Sequence, residues 1–246
     1  MHPILFQIGS FTVYSYGFFV ALAVGVSFFA ASRRAKLFGL DHAMVTDLIF
    51  MLFISGVIGA RLFYVLQHFQ EYRADFWRAF YLQEGGLVWY GGFLFAATTG
   101  VIYAAKRRWP VLTLCDFFSP ILPLAHAIGR LGCFFNGCCF GRCTVPPWGI
   151  TFPYETSPRI PTQLYESALL LLLSAFLFRL SSRKKREGEI FVLYLFFYAL
   201  LRFGVEFFRG DQVHLAGLTP PQWTSAMLLA GAAFLFLFIR RKNGKT

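Results

Sequence analysis

Seven long apolar runs dominate the chain, at about 11–32, 44–67, 86–105, 111–135, 162–180, 188–208 and 220–239. Each is close to the ~20 residues that an α-helix needs to cross the hydrocarbon of a bilayer. The pattern predicts an all-α integral membrane protein, a bundle of about seven transmembrane helices forming one polytopic domain. The fourth and sixth runs carry an arginine in their outer halves, yet dropping either would leave an even count and spoil the charge pattern described below. The segment 136–161, rich in Gly, Pro and Thr, is the longest polar connection and reads as an outer loop. No Lys or Arg precedes the first run and Pro3 interrupts its start, so it reads as a retained helix rather than a cleaved leader.

Composition agrees with the periodicity. Of the 246 residues, 57% are hydrophobic and 14% charged, with 32 phenylalanines, and the mean hydropathy is +0.57. These values exclude a soluble domain of ordinary surface chemistry. A formal net charge of +11 raises the question of nucleic acid, and the placement of the cations answers it. Fifteen of the 23 Lys and Arg residues, including all six lysines, follow the first, third, fifth and seventh runs. Arg73, Arg78, Arg142, Arg159 and Arg209 fall on the other side, while Arg61, Arg130 and Arg202 lie inside runs. By the positive-inside rule the N-terminus is outside and the C-terminus cytoplasmic. The basic excess therefore reads as topology and contact with anionic lipid, not as a nucleic-acid surface.

An ionisable side chain at the bilayer centre costs roughly 2.5–3.5 kcal/mol on insertion scales, so each calls for a partner or a task. Arg61, Arg130 and Arg202 come late in outward-running spans. Tyr16, Tyr90, Gln163, Tyr165 and Glu166 come early in inward-running ones, so all eight are expected in one layer near the outer surface. Tyr198, Arg202 and Glu206 are spaced by four, as are His126 and Arg130, which puts each set on one helix face. Arg202 and Glu206 read either as a mutually neutralising pair or as working groups. Arg61 reads either as a member of the layer or as a side chain snorkelling to the headgroups. Asp47 and Asp116 open their spans on the cytoplasmic side and read as solvated helix N-termini. Arg130 stands between Gly129 and Gly132, which let backbones and a ligand approach closely. Two or three guanidinium groups in a cleft reachable from lipid have a phospholipid phosphate as their chemical complement.

The cysteines read C-x4-C-C-x3-C over Cys133, Cys138, Cys139 and Cys143, with Cys115 apart. Zinc sites prefer a second pair or histidines further on, and an oxidising exterior permits a disulfide involving Cys143. The favoured reading is small, apolar-tolerant residues at a tight helix-to-loop turn. His2, His42, His68 and His214 read as headgroup contacts. Two other classes stand beside a lipid-headgroup enzyme. One is a membrane thiol/disulfide or metal redox protein using the Cys133–Cys143 cluster, and the other a non-enzymatic phospholipid or solute carrier. Clustering of the arginines at one depth argues against the carrier, which binds near the midplane.

The stretches GARLFYV (59–65), GGLVWYGGF (85–93), GRLGCFFNGCCFG (129–141), PTQLYES (161–167) and LRFGVEFFR (201–209) together resemble the prolipoprotein diacylglyceryl transferase family, in its order and over nearly the whole chain. The resemblance implies transfer of the diacylglyceryl group of phosphatidylglycerol to the lipobox cysteine of a preprolipoprotein. A thioether forms and glycerol phosphate leaves, at the outer face of the bacterial inner membrane and with no metal or organic cofactor. It implies that Arg130 binds the phosphate and that Arg202 is a second essential arginine. Tyr16, Tyr198 and Glu206 match further functional positions, and Asn136, Gly137 and Gly141 keep the N-G pair and closing glycine of the motif. Tyr90 stands where the family's best-studied pattern has a histidine, and Cys133 and Cys138 replace an Asn and a Glu. With that histidine missing, Tyr90, Glu206 and His126 are the candidate proton acceptors.

Overall fold

The computed structural model describes residues 2–9, 11–73, 75–81, 85–153, 155–184, 186–210 and 213–243. Lys185 and Lys245, counted in the basic clusters, lie outside them. The first run divides into two kinds of structure. Its start joins a hairpin of β1 (Ile4–Ile8) and β2 (Phe11–Tyr14), paired antiparallel, with Gly9 at φ +59° in the turn. The helix α1 (Ser15–Ala35) begins only where the hairpin ends. There the Ser15 N–H donates to the Pro3 carbonyl at 2.8 Å and its hydroxyl to the His2 carbonyl. The expected helix start at residue 11 is therefore corrected by a local strand pairing that satisfies the same backbone groups.

After α1 come α2 (His42–Gln67), the short α3 (Phe69–Tyr72), α4 (Trp89–Lys106), α5 (Val111–Phe118) and α6 (Ile121–Asn136). The chain continues into α7 (Thr162–Ser181), α8 (Glu189–Glu206) and α9 (Pro220–Asn243). Among the described residues five helical stretches are long and apolar enough to cross a membrane: 15–38, 42–67, 111–136, 162–181 and 220–241. Their outer surfaces suit hydrocarbon, since Phe50, Leu172 and Phe234 are 66%, 67% and 72% exposed. An aqueous surface would not carry such a continuous apolar coat.

The chain forms two compact units, residues 32–114 and residues 1–31 with 115–246. In the first, α2 packs along α4. Gly59 and Gly91 allow it, because a Cβ built on Gly59 would stand 2.5 Å from the Gly91 carbonyl oxygen and from Phe95. The glycine pair of WYGGF is thus a packing device for two membrane helices.

In the second unit α6 packs on α7, α7 on α8, and α8 on α9. Leu173, Leu177 and Ile190 form its buried apolar cluster, flanked by Leu193, Tyr194 and Tyr198. Pro120 separates α5 from α6, where the sequence predicts one unbroken helix. A proline ring supplies no N–H to the helical ladder, and the Pro120 carbonyl is taken by the Ser174 hydroxyl of α7 at 2.7 Å.

Asp116 corrects the solvated-terminus reading outright, being fully buried. Its carboxylate accepts the N–H groups of Gly188 and Phe191 at 2.8 and 2.9 Å and pairs with Lys184 at 3.4 Å. It caps the start of α8, not its own helix, and there meets both orphan N–H groups and a positive helix end.

The glycine contact between α2 and α4 yields a direct check. Gly59→Ala should destabilise the folded protein by about 1–3 kcal/mol, the usual penalty of overpacking. Gly25→Ala, where nothing lies within 4 Å of the new methyl, should leave Tm in detergent unchanged. Equal Tm values for the two variants would contradict the contact.

Candidate functional site

One face of the last turns of α6 carries His126, Arg130 and Cys133, spaced by four and three residues as helical neighbours require. Glu166 of α7 meets that face. Its carboxylate receives Arg130 through two nitrogens, Nε at 2.9 Å and Nη2 at 3.0 Å, and lies 3.6 Å from His126 Nε2. On α8, Arg202 Nη1 pairs with Glu206 Oε2 at 2.9 Å, four residues along the same helix. The spacing of Arg202 and Glu206 foretold that second pair. The first joins residues 36 apart in sequence and had no such signal.

The two pairs converge. His126 and Tyr198 each lie within electrostatic reach of both Arg130 and Arg202, and their rings are 5.9 Å apart. Tyr16, at the start of α1, is within reach of Arg130. Its helix can approach because Gly132 lacks a Cβ, which would stand 2.9 Å from Phe19 Cβ and 3.5 Å from the Tyr16 ring. Phe19 then stacks on Phe135 at 5.1 Å. Burial is asymmetric: the carboxylate side chains of Glu166 and Glu206 are 1% and 0% exposed, those of Arg130 and Arg202 14% each. The acids form the back of the site and the cations its accessible face.

The signature loop closes the site by backbone geometry. Gly137, at φ +76°, ends α6. Its N–H donates to the Phe134 carbonyl and that of Cys138 to the Cys133 carbonyl, both at 3.1 Å. This is the pairing of a Schellman turn. Gln163 Nε2 then donates to the Cys138 carbonyl at 2.6 Å and Thr162 Oγ1 to the Cys139 carbonyl at 3.0 Å. Farther on, the Gly141 N–H reaches the Ile160 carbonyl at 2.8 Å and the Arg142 N–H the Phe208 carbonyl at 2.9 Å. Any side chain on Gly141 would collide with the Phe208 oxygen. Asn136 is exposed at the end of α6, one residue before the turn. Thr162 and Ser167, whose hydroxyl holds the Ala127 carbonyl at 3.0 Å, belong to the site's frame but were not singled out beforehand. Both stand in the PTQLYES stretch, where hydroxyl residues flanking Glu166 at the start of an apolar run were the available signal. Tyr165 of that stretch is 40% exposed and turns away from the Glu166 face.

All five cysteines are free. The sulfurs of Cys133, Cys138 and Cys139 lie within 4.8 Å of one another, with 3.7 Å between Cys138 and Cys139. Hydrogen bonding shared among the three sulfurs, then the charges of Arg130 and Arg209, hold the Cys139 thiol below the ordinary cysteine range.

Arg61 and Tyr90 belong to the unit of residues 32–114. Arg61 is buried, so it does not snorkel. It donates to the carbonyls of Arg78, Ala79, Tyr81, Gly85 and Gly86, at 2.7 Å to Arg78 and 2.8 Å to Ala79, and lies over the rings of Tyr64 and Tyr72. It organises the segment before α4. Tyr90 is 66% exposed in the first turn of α4, beside Trp89.

A family model described as prolipoprotein diacylglyceryl transferase matches residues 3–238. Proteins named phosphatidylglycerol–prolipoprotein diacylglyceryl transferase are similar over almost the whole chain. That of Bordetella bronchiseptica is 36% identical over 97% of this chain and 95% of its own. The Thermotoga maritima protein is 35% identical over 96% and 84%, and the Clostridium tetani protein 31% identical over 96% and 97%.

The buried clamp between Arg130 and Glu166 can be measured as a coupling. Arg130→Met and Glu166→Leu should each destabilise the protein, because each leaves a charge without its partner. The double variant should lose less than the sum of the two, by at least about 1 kcal/mol in a double-mutant cycle. Strictly additive losses would show that the pair contributes nothing jointly.

Proposed function

The chain belongs to the prolipoprotein diacylglyceryl transferase family, and on that premise we propose that Arg130 and Arg202 are the groups that hold the donor lipid's phosphate. The protein is a transferase that moves a diacylglyceryl group from phosphatidylglycerol to a prolipoprotein. These similarities favour transfer over the redox and carrier readings. The observation that carries the assignment is the convergence of two arginines, each backed by a buried carboxylate, on one pair of aromatic rings.

Glu166 occupies one edge of the Arg130 guanidinium, through Nε and Nη2, and Glu206 meets Arg202 at Nη1. The remaining N–H groups suit a phosphodiester, which prefers planar, forked donors. Pairing with the acids also fixes both cations before the lipid arrives, so little reorganisation remains for the reaction. Beside Arg130 nothing lies within 4 Å of the Gly129 Cβ position, which leaves room for a headgroup. An apolar groove of about 480 Å³ begins one turn from Glu166, lined by Leu169, Leu172 and Phe176 of α7 and Phe197, Leu200 and Leu201 of α8. It suits an acyl chain.

In the reaction the cysteine sulfur of the lipobox peptide attacks the terminal glyceryl carbon of the diacylglycerol. The C–S bond forms as the C–O bond to phosphate breaks, and glycerol phosphate leaves with the electron pair. An ordinary thiol near pKa 8.5 is a poor nucleophile, so its proton must pass to an acceptor. His126 supports that role best, with its ring one-third exposed and 3.6 Å from Glu166. Arg130 and Arg202 stabilise the charge that accumulates on the departing phosphate, an effect worth a few kcal/mol when donors are preorganised. Tyr16 and Tyr198 bound the same space, and Gln163, Asn136, Gly137 and Gly141 hold the loop that closes it.

In this reading the long helices from α1 to α9, including the 18-residue α4 and α8, make seven spans. The basic residues ending α1, α4 and α7 mark the cytoplasmic face of a bacterial inner membrane. The arginine site then opens toward the outer leaflet.

The test is a transfer assay with labelled phosphatidylglycerol and a lipobox peptide bearing one free cysteine. Arg130→Ala and Arg202→Ala should each lower thioether formation at least about 100-fold, the scale of a lost oxyanion donor, with helical content unchanged. Near-normal rates in both variants would remove the phosphate role. His126→Gln should lower kcat more than KM, while Tyr90→Phe should keep most activity; the reverse pattern would move the proton acceptor to Tyr90.

A further inference from the structure

We propose that Cys133, Cys138 and Cys139 form a binding site for a single thiophilic d10 metal ion, zinc(II) or copper(I) in type. The cluster adjoins the lipid-transfer site, Cys133 sharing the α6 face of Arg130, and the proposal does not depend on that reading.

Geometry carries it. Three sulfurs each ~2.3 Å from a common ion stand about 3.8–4.0 Å apart in tetrahedral or trigonal arrangement. Here Cys138 and Cys139 are 3.7 Å apart and all three sulfurs lie within 4.8 Å of one another. No other group of three or more His, Cys, Asp or Glu side chains among the described residues has comparable proximity. Binding an ion therefore needs only small side-chain rotations.

The backbone is arranged to produce this cluster. The Gly137 turn folds the chain back so that the Cys138 N–H bonds the Cys133 carbonyl. Cys139 follows at φ +65°, a left-handed conformation that is unfavourable for a non-glycine residue. Hydrogen bonds from Gln163 and Thr162 to the carbonyls of Cys138 and Cys139 hold it there. Small residues filling a turn would require none of this convergence. A glycine at 139 would relieve the backbone, whereas a sulfur there completes the triangle.

Charge and hardness select the ion. Sulfur donors favour zinc, cadmium and copper(I) over magnesium or calcium. Three thiolates around a divalent ion leave one negative charge, and Arg130 and Arg209 lie within electrostatic reach of Cys139 to offset it. With Cys143 and Cys115 outside the cluster, zinc would complete its shell with water, while copper(I) is content with three sulfurs.

The full chain, purified in detergent under reductant and stripped with a chelator, is titrated with cadmium(II) as a spectroscopic probe. An ultraviolet thiolate-to-cadmium band should grow to one ion per chain. It should be lost in Cys138→Ser and Cys139→Ser, persist in Cys115→Ser and Cys143→Ser, and decline when zinc(II) or copper(I) is added. A readout on the unaltered chain guards against misfolded variants: metal loading should slow alkylation of Cys133, Cys138 and Cys139 and leave that of the exposed Cys143 unchanged. Absence of the band, a band of equal size in the Cys138 and Cys139 variants, or alkylation of the three cluster thiols unchanged by metal would overturn the site.

Discussion

The site depends on burying two carboxylates without leaving them unpaired. Glu166 and Glu206 are almost wholly removed from solvent, where an isolated negative charge would be untenable. Each is met by an arginine at 2.9 Å. The consequence for function is geometric. The acid goes inside and holds one side of the guanidinium, so the cation is presented outward in a fixed orientation. A lone arginine in lipid would instead snorkel or draw in water.

The same requirement explains why α7 starts as it does. Its first turns carry Thr162, Gln163, Glu166 and Ser167, all buried, in a helix whose outer face is leucine and phenylalanine. Each polar group closes a specific gap: a carbonyl of the cysteine loop, a carbonyl of α6, or the Arg130 charge. The loop is thereby tied to the helix that supplies the counter-ion. Its three sulfurs and the arginine face are two products of one set of hydrogen bonds.

In the unit of residues 32–114 a cation is satisfied differently. Among the described residues Arg61 binds five backbone carbonyls, turning the polar groups of an irregular segment into its counter-charge. Where α2 and α4 touch, glycines replace side chains altogether. Both are ways of making irregular or closely spaced backbone tolerable beside lipid.

Local chemistry is what the sequence by itself determined. Apolar runs of membrane length gave the helices, four-residue spacing put Arg202 beside Glu206 and His126 beside Arg130, and the glycines of the signature marked where backbone must turn or approach. Those features act within one or two helical turns, so they survive being read along a line. The tertiary structure alone decided which distant groups meet: Glu166 with Arg130, Asp116 with the start of α8, the Arg61 guanidinium with its carbonyls, and three sulfurs with each other. It also turned residues 11–14 into a strand, because pairing with residues 4–8 offered their backbone what a further helical turn would have offered. Each of those outcomes rests on a polar group finding its partner. Which partner is within reach is a property of packing, and no spacing along the chain encodes it.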